Sequence, residues 1–155
     1  MENRRSYINP DDGIEELFRY RIHPERNLVV VKLLQTVTVR DIARWESVMI
    51  QEPLFSPDMD GIVDQRQASA DLTRDDVTEL AELTKTTHKV KGRWIHLVND
   101  PMPTAMAIQY KREVDEQQEV EAFSTIESAS KFLGYNVEPY LAALEEESLA
   151  ILSEI

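Results

Sequence analysis

The chain contains no cysteine, which removes thiolate nucleophiles, disulfides, iron–sulfur clusters and cysteine-ligated zinc together. Glycine is nearly as scarce. Gly13, Gly61, Gly92 and Gly134 are the only four, too far apart to write a P-loop or a GxGxxG dinucleotide turn. His23, His88 and His96 stand alone, without the HxH or HxxxH spacing of metal ligands, and no GxSxG elbow presents a serine. Neither a metal nor a cofactor is therefore expected. No apolar run approaches the roughly 20 residues that cross a bilayer. The start, MENRRSYINPDDGIEEL, has two arginines but no apolar stretch behind them, so the expectation is a cytoplasmic protein without stable membrane insertion. Positive charge is in deficit: 17 basic residues face 29 acidic ones, a net charge of -12. Phosphate backbones and anionic lipid surfaces repel such a chain, and nucleic acid is not an expected partner.

What is present suits a folded protein. Hydrophobic residues make up 42% of the 155 and charged residues 30%, too apolar for disorder. With no linker-like shift in composition, residues 1–155 are expected to form one domain burying about 70% of its unfolded surface. LFRYRI (17–22) alternates and NLVVVKLL (27–34) is continuously apolar, the pattern of a hairpin with one exposed and one buried strand. TVTVRDIARWESVMIQEP places Ile42, Trp45 and Met49 on one helical face behind a Thr38/Asp41 capping pair. The strand GIVDQ follows, then a helix capped by Thr73 and Asp76 that buries Val77, Leu80, Ala81 and Thr84. GRWIHLVND reads as a central strand, and Asp100–Pro101 starts the next helix. VEAFS is the last strand, Ser124 and Glu127 form a capping box, Gly134 ends that helix, and EPYLAALEEESLAILSEI is one more helix. The order β-β-α-β-α-β-α-β-α-α implies right-handed crossovers and a mainly parallel sheet with an antiparallel edge.

Five strings in this order, NLVVVKL, VTVRDIARWESVM, GIVDQRQASADLTRDDV, GRWIHLVNDPMPTAMAIQY and FSTIESASKFLG, resemble the bacterial STAS-like domains, in particular the SpoIIAA-like group. The likeness covers about residues 17–134, with a C-terminal helix at about 138–153 beyond it. It implies an α/β sandwich with a four- or five-stranded mixed sheet. It also implies a domain that binds a protein partner or a small, lipid-like ligand and is no enzyme by default. Anti-sigma antagonists of this kind carry Asp-Ser-Ser/Thr-Gly at the start of the helix after the GIVDQ strand and are controlled by phosphorylation there. Here Asp71-Leu72-Thr73 takes that place, without the serine pair or the glycine, and Asp75 and Asp76 crowd the first turn. Thr73 is the weak phosphoacceptor candidate; a plain N-cap is the preferred reading.

The candidate site is the carboxyl rim of the sheet, where open α/β folds bind ligands. Asp64 and Arg66 leave one face of an extended segment, and Asn99, Asp100 and Thr104 of NDPMPT approach from the neighbouring strand. Each has a structural alternative: a salt bridge for the first two, helix capping for the others. No catalytic residue is assigned, though an enzyme using Asp64, Arg66 and Asp100 on a small polar substrate is the rival reading. Adjacent carboxylates such as Asp11/Asp12, Asp75/Asp76 and Glu145–Glu147 diverge on a helix and are expected to be solvated. His96 and His88 are expected to be structural, and Trp45 and Trp94 to lie in the core. The stripe Leu141, Leu144, Ile151 and Ile155 must cover the domain, pair two copies as a homodimer or scaffold, or dock on a partner.

Overall fold

The computed structural model describes residues 13–114 and 116–153, with side chains of the last helix through Glu145. The elements are α1 (Ile14–Leu17), β1 (Phe18–His23), β2 (Leu28–Leu33), α2 (Val39–Met49), β3 (Asp60–Asp64), α3 (Arg74–Leu83), β4 (Arg93–Leu97), α4 (Pro101–Val114), β5 (Glu119–Phe123), α5 (Ile126–Leu133) and α6 (Glu138–Ser153). The strands lie in chain order, β1-β2-β3-β4-β5, in one five-stranded sheet. β1 is antiparallel to β2 and every later pair is parallel, so the expected mixed sheet with an antiparallel edge is present.

Three successive crossovers, through α2, α3 and α4, advance the sheet in one direction. A constant right hand puts all three helices on one face. The packing agrees. Val29 and Val31 share a core with Trp45 and Met49 of α2, Ala81 of α3 and Val114 of α4. The alternate residues Leu28 and Val30, with Ile62, Ile95 and Leu97, pack against Ala129 and Leu133 of α5 and Leu141 and Leu144 of α6. The period-2 alternation of side chains thus feeds two cores from one sheet. β2 is buried at all six positions, as its unbroken apolar run requires.

Two helices begin with the same device. Thr38 Oγ1 accepts from Asp41 N while Asp41 Oδ2 accepts from Thr38 N, and Thr73 and Asp76 repeat the exchange at 3.1 and 2.9 Å. The Thr73 hydroxyl is therefore occupied as an N-cap. Thr73→Ala is expected to cost about 1 kcal/mol, read as a lower urea midpoint at unchanged slope. A parallel bridge between Val37 and Ala70 ties the two capped starts together.

Several local details differ from the sequence reading. Leu17 closes the short α1 rather than opening β1, because Ile14 is buried there in the helix. The cap of α5 is Thr125, whose hydroxyl accepts from Ser128 N at 3.1 Å, and not Ser124; the helix starts one residue later than the S-x-x-E spacing suggests. Past Leu83, α3 runs on through a π turn, Thr84–His88, closed by Lys89 in the left-handed region. Leu141 and Leu144 of α6 cover their own domain. The expectations for Asp11, Asp12, Ile151 and Ile155 fall outside the described residues and side chains. Among the described residues no helix is long and apolar enough to cross a membrane.

Candidate functional site

A cavity of about 100 Å³ lies between the sheet and helices α2, α3 and α4. Its floor is the face of the parallel strands carrying Val31, Val63 and His96, which are in register across β2, β3 and β4. Ile42, Trp45 and Glu46 of α2, Val77 and Leu80 of α3, and Met106, Ala107 and Tyr110 of α4 supply the roof. Ala70 and Leu72, in the segment after β3, also line it. Val63 sits in the central strand, under three helices, yet is only partly buried. In a filled core it would be closed off; the gap above it is the cavity.

The lining is chiefly apolar, with five polar side chains among it: Glu46, Gln65, His96, Tyr110 and Gln118. His96 Nδ1 donates to Gln65 Oε1 at 3.3 Å. Burial pushes the imidazole down to about 4, so it is uncharged at neutral pH. Burial likewise pushes the Tyr110 phenol up, and it stays protonated. Tyr110 and Thr84 share a hydrogen bond of 2.8 Å, and Thr84 Oγ1 donates onward to Glu46 Oε1 at 3.4 Å. Glu46 Oε1 also holds His88 Nδ1, whose Nε2 meets Ser47 Oγ at 3.3 Å. His88 therefore serves to bond the π turn to α2. Two polar atoms of lining residues are sealed from solvent without a partner: the indole nitrogen of Trp45 and the amide oxygen of Gln118. Among the described residues no group of three or more His, Asp or Glu is placed to hold a metal ion.

Asp64, with Arg66 bonded to it, lies on the other side of the sheet. Ile62 and Asp64 share the α5/α6 face, and Asp64 stands beside Lys32, which pairs with Glu145 of α6. Asp64 takes a two-pronged bond from Arg66 Nε and Nη2, both at 2.9 Å, and also accepts from Arg66 N. The same strand repeats the device at its other end, where Arg93 grips Asp60 at 3.2 and 2.7 Å. Asn99 Nδ2 donates to the Arg66 carbonyl at 3.0 Å, so the two loops do meet. Thr104 Oγ1 donates to the Asp100 carbonyl at 2.7 Å within the first turn of α4. None of the five lines the cavity.

Gln65, Tyr110, Glu46 and Gln118 were not singled out by sequence reading, and one signal was there to find Gln65. It stands between Asp64 and Arg66, and its N–H continues the ladder to Leu97 O at 2.8 Å. Strand alternation therefore sends it to the opposite face. No family model matches this chain, and no curated protein or solved structure matches it either.

His96 also makes a pH prediction. Its ordinary value of 6.5 falls to about 4 on folding, so between those limits the unfolded chain binds more protons and stability rises with pH. The contribution is complete above about 6.5 and is lost as pH falls toward 4. His96 is only partly buried, which moderates it to about 2 kcal/mol. Urea titrations at pH 4.5 and 7 should show His96→Gln losing less stability on acidification than wild type. Equal losses would show that His96 is not held uncharged by the fold.

Proposed function

We propose that this chain is a non-enzymatic binding domain of STAS-like type that takes a small, partly apolar molecule into the cavity under α2, α3 and α4. The observation that carries the reading is the cavity itself: an unfilled apolar space at the heart of the sheet, with a few polar side chains spaced around it, the usual composition of a ligand site. Roughly 100 Å³ suits a compound of about one ring. The STAS-like reading is supported by the five strings from NLVVVKL to FSTIESASKFLG and by a five-stranded mixed sheet backed by helices. Against the enzyme reading, Asp64 and Arg66 are spent on each other. The cavity favours a small-molecule ligand over a protein partner as the first object of search.

The test is native mass spectrometry of protein purified without denaturation from its own host, compared with an Ala107→Leu variant. Ala107 is a buried wall residue, and the larger side chain occupies the space. A small molecule retained by wild type and absent from a folded Ala107→Leu protein is expected. A molecule retained equally by both sinks the cavity as its site.

A further inference from the structure

The cavity wall holds hydrogen-bonding capacity that the protein itself does not use, and on the reading of this cavity as a ligand site that capacity specifies what enters. A neutral imidazole carries one N–H. In His96 that N–H is at Nδ1 and is given to Gln65, so Nε2 is left as a bare acceptor to which no described residue donates. The Gln118 amide oxygen and the Trp45 indole N–H also lack partners, but neither atom has accessible surface, so neither is offered to a ligand and His96 Nε2 is the acceptor left to the cavity. Charge, by contrast, is fully accounted for. Glu46, the one acidic group in the lining, is held by His88 and Thr84, and the lining contains no Lys or Arg.

These needs exclude most ligand classes. A carboxylate or phosphate would find acceptors and Glu46 but no cation. An ammonium would find no uncommitted carboxylate. A pure hydrocarbon would leave Nε2 dry and unpaired, which an interior tolerates poorly. We infer that the ligand is a small uncharged ring compound bearing one hydroxyl or N–H, its donor bonded to His96 Nε2 and its ring packed among Val63, Trp94 and Met106. Gln65 is the positioning residue: by accepting from Nδ1 it fixes the tautomer that turns an acceptor to the cavity.

The experiment is calorimetric titration of the whole chain with two probes, 4-methylphenol and toluene, at pH 7. Against His96 the phenol is expected to bind about tenfold tighter than toluene. In a merely apolar hole the order reverses, since the hydroxyl loses water and gains nothing. His96→Phe keeps a ring in place and removes the acceptor; it should drop 4-methylphenol about tenfold and leave toluene within about twofold. Gln65→Leu, which touches no ligand donor, should weaken the phenol alone by a smaller factor. Toluene binding as tightly as the phenol in wild type overturns the donor specificity and leaves the cavity as a ligand site. Neither probe binding at its solubility limit overturns both. The wild-type ratio decides the matter even where a variant fails to fold.

Discussion

Gly61→Ala is expected to destabilise the domain by about 3 kcal/mol, enough to unfold a large fraction of a marginal protein. Gly61 lies in β3 directly opposite Trp94 of β4. A Cβ built on it would overlap the fused bond of the indole, at Trp94 Cδ2, Cε3 and Cε2. The ring has nowhere to go: it is only 6% exposed, and its Nε1 is tethered to the Lys91 carbonyl at 3.2 Å. The backbone offers no relief either, because both strands are committed to the parallel ladder. The conflict is steric and local, so it has a specific cure. Trp94→Val alone leaves a void and costs about 3 kcal/mol, but with Gly61→Ala the new methyl occupies part of that void. The double variant should be more stable than the sum of the two losses by more than 1 kcal/mol, read by urea unfolding. Additive losses would show that β3 and β4 slide apart to admit the methyl. Trp94 also forms cavity wall, so the same glycine sets how close the indole floor approaches the sheet.

The outline of this fold was legible because its signals are local and repeated. Thr38/Asp41 and Thr73/Asp76 are capping boxes in the sequence and in space, and the unbroken run NLVVVKL declares a strand covered on both faces. Alternation of strand and helix then leaves few topologies once crossovers must be right-handed. The site was less legible, and the reason is parity. Aspartate and arginine draw the eye to Asp64 and Arg66, but these alternate with Val63 and Gln65, and the cavity takes the latter pair. A sequence shows which residues share a face; it does not show which of two covered faces is imperfectly filled. That depends on how Trp45, Met106 and Tyr110 fill the space above Val63, a matter of side-chain volumes summed over three helices. The contact between Asn99 and the Arg66 carbonyl was anticipated from topology, since neighbouring parallel strands end on one rim.

The pairing of Glu46 with His88 makes the other large prediction, because both partners are far from water: the side chains are 13% and 3% exposed. His88→Leu at pH 7 is expected to cost about 3 kcal/mol or more. The loss is not that of the contact alone. Glu46 would stay where it is, facing the cavity, with only the 3.4 Å bond from Thr84 to offset a buried carboxylate. The converse change, Glu46→Leu, strands the His88 Nδ1 proton, yet an imidazole has less to lose than a carboxylate, so it should cost less. Removing both is the informative case. Two leucines fill similar volume with no polar group to satisfy, and the double variant should recover most of the His88→Leu loss and lie within about 1.5 kcal/mol of wild type. Thr84 keeps its bond to Tyr110 throughout, and Ser47 is half-buried, so neither adds a large penalty. A double variant as unstable as His88→Leu would mean that the pair is needed to seat the π turn Thr84–His88 on α2. The cavity would then report the difference, since Glu46→Leu trades its one carboxylate for a methyl-lined wall and should improve toluene while leaving the acceptor at His96 in place.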